Sequence, residues 1–177
     1  MLLPVRSPGT LPGKSELQFG FQKPRYSATN LPMKEVIRCG WAGKEPIYQN
    51  YHDTEWGVPV TDDQKLFEFL VLEGAQAGLS WITILKRREG YREAFDNFEV
   101  ERVARFDKRK IESLLKNERI IRNRLKVNSA VSNAKAFIQV QEEFGSFAKY
   151  QWEKMNGAPL QNSWSTLKHI PPRSDIS

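Results

Sequence analysis

Cysteine is nearly missing from this chain: Cys39 stands alone among 177 residues, which excludes an internal disulfide framework and suits a reducing compartment. Histidine is almost as rare, with His52 and His169 the only two. No apolar run approaches the roughly 18 residues of a membrane span, so a membrane protein is not expected. Signals for β-structure are few, because no Asn-Gly or Asp-Gly turn stands between alternating apolar runs. The MLL start breaks off at Pro4, which argues against a secretory signal. What remains is 40% hydrophobic and 27% charged, the balance of one globular domain with a real core.

The formal charge of +6 is unevenly spread. Residues 1–34 hold Arg6, Lys14, Lys23, Arg25 and Lys34 against Glu16 alone. Residues 107–135 hold nine Lys or Arg against Asp107, Glu112 and Glu118, and everything else sums to −4. A basic stretch confined to one region is what a polyanion-binding site looks like, and equally what a solvated helix face looks like.

Proline, glycine, serine and basic residues dominate residues 1–35, which read as a disordered basic leader. The domain is expected over 36–171, with a flexible tail at 172–177. Its first segment, RCGWAGKEPIYQNYHDTEWGVP, carries turn signals and no clean helix or strand period. Thr61-Asp62-Asp63 then caps a helix over about 63–77. LSWITILKRREGYREAF predicts a second helix, NFEVERVARF and DKRKIESLL two short ones, and LKVNSAVSNAKAFIQVQEEF a long amphipathic one stopped by Gly145. SFAKYQWEKMNG adds a last short helix, so the fold class expected is all-α, a multi-helix domain.

One residue resists that scheme. In LVLEGAQAGLSW (residues 70–81), Glu73 interrupts an apolar run. At 100° per residue, Glu73 falls within about 20° of Leu66, with Leu70 and Ala77 on the same side. Stripping water from a lone carboxylate costs several kcal/mol or more. Two readings follow: an internal salt bridge or helix-end charge, or a partly desolvated acid lining a pocket. Gly74 and Gly78 allow close approach of a ligand or a neighbouring helix. Trp81 offers a flat apolar face, and Trp41, Tyr48, Tyr51 and Trp56 cluster within sixteen residues. That combination suits a flat, cationic ligand.

The segments RCGW (38–41), YHDTEWGVP (51–59) and LEGAQAGLSWITILKRRE (72–89), followed by IIRNRLKVNSAVSNAKAF (120–137), together resemble DNA-3-methyladenine glycosylase I, over roughly residues 37–171. The resemblance implies a helix-hairpin-helix glycosylase fold and an enzyme of base-excision repair. Such an enzyme flips an alkylated adenine out of double-stranded DNA and hydrolyses its N-glycosidic bond. It implies that Glu73 hydrogen-bonds the flipped base and supplies selectivity and electrostatic assistance, Tyr51 contacts the base, Trp81 stacks on it and Trp41 completes the wall. It further implies a hairpin near residues 118–125, with Arg122, Arg124 and Lys126 adding charge toward the phosphates. Expected with it are an intracellular location with DNA and a monomeric state.

Two departures from the family pattern stand out. Hairpin glycines are replaced by Arg119 and Leu125. The family's structural zinc takes a Cys and a His near the beginning and a second pair near the C-terminus, a stretch that the resemblance implies is truncated here. Cys39 and His52 match the first pair, while His169 does not match the second. That is half of a site that needs about four ligands. A catalytically inactive nucleic-acid-binding module is the competing reading.

Overall fold

The computed structural model describes residues 36–159, 161–171 and 173, and the expected leader over 1–35 and most of the expected tail lie outside the described residues. Among the described residues the chain is helical and contains no strand. The helices are α1 (Pro46–Thr54), α2 (Asp63–Gln76), α3 (Trp81–Leu85), α4 (Arg88–Ala94), α5 (Val100–Ala104), α6 (Lys108–Leu114), α7 (Arg124–Phe144) and α8 (Phe147–Glu153). Single 3₁₀ turns occupy Gly40–Ala42, Asp96–Phe98 and Leu167–His169.

Helix starts are written in side chains. Asp62, Asp107, Asn123 and Ser146 each accept a hydrogen bond from the backbone N–H three residues on, which satisfies one of the donors a helix N-terminus leaves open. Gly145 takes the left-handed conformation (φ 87°) that ends α7. Pro46 stands at the first position of α1, where its missing N–H costs nothing.

Helix α7 is the spine. Its stripe Val127, Ala130, Val131, Ala134 and Phe137 is buried against α2 and α5. Phe67 of α2 meets Phe137 edge-on at 5.3 Å, and Phe147 of α8 stacks on the same ring at 4.1 Å. A second aromatic layer, Tyr91, Phe95 and Phe98, joins α4 to the turn that follows it. Asp63, in the first turn of α2, accepts hydrogen bonds from Gln141 Nε2 of α7 and from the amides of Phe147 and Ala148 at the start of α8.

Two segments differ from the sequence reading. The single helix expected over LSWITILKRREGYREAF is broken into α3 and α4 at Lys86–Arg87, where Arg87 leaves helical geometry (φ −108°, ψ 1°). The segment RCGWAGKEPIYQNYHDTEWGVP, read as turns, contains α1. None of that helix's side chains is fully buried, so its apolar residues leave no core-facing period to detect.

Candidate active site

Helix α2 and the start of α3 are joined by a tight type II turn. Ala77 (φ −45°, ψ 117°) and Gly78 (φ 77°) occupy its centre, closed by Leu79 N–H donating to Gln76 C=O at 2.6 Å. Only a residue without Cβ takes that φ readily, so Gly78 is required here. The turn brings Glu73 of α2 and Trp81 of α3 to one side. Helix α1 supplies the opposite side, and Trp41, in the 3₁₀ turn before it, and Trp56, just after it, close the ring. The result is an open cavity of about 310 Å³ lined by Trp41, Tyr48, Tyr51, Trp56, Glu73, Gln76 and Trp81.

The rings form a tilted array. Trp41 lies 5.1 Å from Tyr48 and 5.2 Å from Trp56, and Tyr51 lies 5.4 Å from Trp81, all at inclined or edge-on angles that leave ring faces available. The indole N–H of Trp81 is buried without a partner among the described residues. It is near enough to the Tyr51 hydroxyl to favour the phenolate, but it is not aligned as a hydrogen bond. Burial, and then the charges of Glu73 and Glu55, nevertheless hold the Tyr51 hydroxyl above its ordinary pKa, so it stays a neutral donor.

Glu73 is exposed by surface area and yet partly desolvated by the walls around it, which raises its carboxyl above the ordinary carboxylate range. The two facts agree if the side chain stands in a concavity that water enters and protein surrounds. Glu73 has no hydrogen-bond or ion-pair partner among the described residues. The helical angle drawn from Leu66 places it correctly beside part-buried Leu66 and Leu70, but the true core stripe of α2 runs one position over, through Phe67, Val71 and Ala75. Glu73 therefore flanks the core and does not sit in it. Among the described residues Glu73 makes no salt bridge, and its side chain lines the cavity.

The buried carboxylate is a different one. Glu68, 5% exposed, accepts from Arg88 Nε at 2.7 Å, from Lys65 Nζ at 3.0 Å and from Arg92 Nε at 3.1 Å. Arg88, 8% exposed, spends the rest of its guanidinium on Glu55. Burial disfavours ionised Glu55 and Glu68, but the Arg88 hydrogen bonds and charge, with help from Lys65, outweigh it and lower both carboxyls. Nothing in sequence spacing marks this network, since Glu68 and Arg88 are twenty residues apart.

The expected hairpin lies between α6 and α7. Asn123 caps α7 and takes the Lys126 amide, which leaves the amides of Arg124 and Leu125 open by helix geometry. Ile121 N–H donates to the Tyr91 hydroxyl at 3.1 Å. Arg122 is exposed and loosely paired with Glu118 at 3.4 Å, and Arg124 is paired with Glu112 at 2.7 Å. Lys126 points elsewhere: its ammonium donates to the carbonyls of Ala75 and Ala77, each at 2.7 Å, and so closes the C-terminal end of α2.

Cys39 and His52, expected as half of a zinc site, lie close together. His52 Nε2 lies 3.3 Å from the Cys39 amide nitrogen and Nδ1 lies 2.9 Å from Asp53 Oδ1, so both ring nitrogens are engaged. His169 Nδ1 is 2.9 Å from Ser165 Oγ. Among the described residues, no group of three or more His, Cys, Asp or Glu side chains could hold a metal ion. Two donors, one of them spoken for, do not fit a closed four-ligand site.

Residues 41–177 match the sequence profile of the family described as methyladenine glycosylase. The chain is 43% identical over 142 residues to the DNA-3-methyladenine glycosylase of Haemophilus influenzae, covering 80% of this chain and 77% of that protein. It is 44% identical over 140 residues to DNA-3-methyladenine glycosylase 1 of Escherichia coli, covering 79% and 75%. A crystal structure of 3-methyladenine DNA glycosylase I superposes with a TM-score of 0.75 at 44% identity, over 79% of this chain and 77% of that one. The Staphylococcus aureus enzyme, solved to address recognition of 3-methyladenine, superposes with the same TM-score at 37% identity, over 78% and 74%.

Proposed function

Because this chain belongs to the methyladenine glycosylase family, we propose that its cavity receives 3-methyladenine flipped from duplex DNA and that the chain hydrolyses the N-glycosidic bond. The observation that carries this reading is Glu73, a carboxylate without a protein counter-ion among the described residues, set among five aromatic rings. Such a site lacks a cation and offers flat faces. Methylation at N3 gives adenine both a positive charge and a plane to stack.

The chemistry follows from charge. The cationic base is already a good leaving group, so the bond breaks heterolytically with its electron pair moving to the base, which becomes neutral. The sugar's anomeric carbon is left electron-poor, water adds to it, and a proton passes to solvent. Glu73 discriminates before that step: its carboxylate favours the cation over neutral adenine, and aromatic faces add roughly 0.5–2 kcal/mol each. Tyr51, held neutral, can donate a hydrogen bond to the base, while Trp81 and Trp41 supply the stacking walls. Arg122 and the open amides at the start of α7 face the task of holding phosphate, a contact independent of sequence. The partner is therefore duplex DNA carrying alkylated adenine, met by a monomer inside the cell.

The test is release of free 3-methyladenine from methylated duplex DNA, followed chromatographically. Release by the parent chain and its marked reduction in Glu73→Gln are expected. DNA binding without release would favour the inactive binding module instead.

A further inference from the structure

Helix α1 bears Tyr48 and Tyr51 and leads directly into Trp56, three of the rings around the cavity, yet it buries no side chain fully. A nine-residue helix without a core face is marginal in water. Tyr51 meets Trp81 of α3 at 5.4 Å, and the charged contacts that follow α1 add a fixed direction to that aromatic packing.

Glu55 is the cap residue that follows α1. The amides of Glu55 and Trp56 both donate to the Tyr51 carbonyl, at 2.9 and 3.0 Å, so Glu55 is tied within one turn to both rings. Its carboxylate receives two parallel hydrogen bonds from Arg88, Nη1 to Oε1 at 2.7 Å and Nη2 to Oε2 at 2.8 Å, with Lys65 Nζ at 3.2 Å. Arg88 in turn is locked from behind by Glu68. Neither Glu55 nor Arg88 lines the cavity.

We propose that Glu55 and Arg88 are positioning residues: their planar fork sets the aromatic wall of α1 at the spacing from Glu73 that a flat cationic base requires. This rests on the excision reading above. A guanidinium suits the task because two parallel bonds fix orientation as well as distance, which a lysine cannot do. A buried ion pair is also a poor source of net stability compared with apolar packing, so geometric specification is the better account of its presence.

Glu55 is half-buried, and its replacement leaves Arg88 paired with Glu68, so Glu55→Gln and Glu55→Ala are the variants to make. Hydrogen exchange is read in α1 (46–54) and in the α7 core (127–137), and steady-state kinetics on methylated duplex are run alongside. In Glu55→Ala, α1 amides are expected to exchange about tenfold faster and KM to rise about tenfold, with kcat within about twofold and α7 unchanged. Glu55→Gln, which keeps part of the fork, should fall between. Unchanged α1 protection together with an unchanged KM, whatever happens to global stability, overturns the assignment. If the parent chain releases no methylated base while α1 still loosens as expected, the excision reading fails and the positioning role stands on the exchange data.

Discussion

Gly90 sits inside α4, where a glycine weakens a helix by roughly 1 kcal/mol relative to alanine. Helix propensity alone says Gly90→Ala should stabilise. Geometry says the opposite. A Cβ built there would stand 2.5 Å from the Arg119 carbonyl oxygen, 2.6 Å from Arg119 Cβ and 3.0 Å from its carbonyl carbon. Ordinary contacts need about 3.5 Å, so α4 and the hairpin turn must part by about 1 Å, and backbone atoms cannot swing aside as a side chain could. Overpacking of this kind costs about 1–3 kcal/mol. Because the blocking atoms are backbone, the upper half of that range applies, about 2–3 kcal/mol, and after the propensity gain the net loss is about 1–2 kcal/mol. That corresponds to a fall in Tm of about 2–8 °C for a chain of this size. Gly74→Ala is the internal control: it lies in α2 with nothing within 4 Å of the built Cβ, and should gain about 0.5–1 kcal/mol. Calorimetry on both variants decides. Opposite signs support the close approach of α4 to the hairpin, and a matching rise in both variants refutes it. Gly90→Ala should also weaken binding to undamaged duplex in anisotropy titrations, because the displaced turn is the one that leads into Arg122.

Glu73→Gln should reduce excision by about tenfold to hundredfold, the loss of a charge-assisted contact, while helping the unliganded fold. A carboxyl whose folded pKa is raised contributes stability below the ordinary carboxylate range and loses it as pH rises through the raised value. The Tm advantage of Glu73→Gln should therefore be near zero around pH 4 and positive around pH 7; an advantage independent of pH counts against the desolvated carboxylate. Lys126→Met removes two charge-assisted bonds from the end of α2 and should cost about 1–2 kcal/mol in urea denaturation, whereas no change would mean that water serves Ala75 and Ala77 as well. Arg122→Ala should lower the slope of log binding constant against log salt by about 0.9 on any duplex sequence, and an unaltered slope would remove Arg122 from the phosphate contacts.

Long helices were legible because their signals are local. Asp62 and Asn123 cap α2 and α7, and the Val127–Phe137 stripe has the period of a buried face. The aromatic ring members were also legible as a cluster, and they do meet around one cavity. Helix α1 was hidden for a physical reason: its rings face an open cavity and each other, so its pattern answers to a ligand and not to a core. The same cause displaced Glu73 by one position, since cavity-facing and core-facing stripes run side by side on α2. Contacts set by long-range geometry left no trace in spacing: Glu68 with Arg88, Lys126 with Ala75, and Gly90 with Arg119. Lys126 reads as one more positive charge in a basic run until its ammonium is placed.

The two oxygens of Asp63, in the first turn of α2, serve donors up to 85 positions later in the chain, so one carboxylate ties the start of α2 to the start of α8. Trimming the protein after Gly145 would thus do more than shorten it, since the bolt at the far end of the rod that carries Glu73 would be drawn. Asparagine at this position would keep one acceptor but turn its amide NH2 toward a group that already offers a hydrogen, so one of the two oxygen sites would be lost.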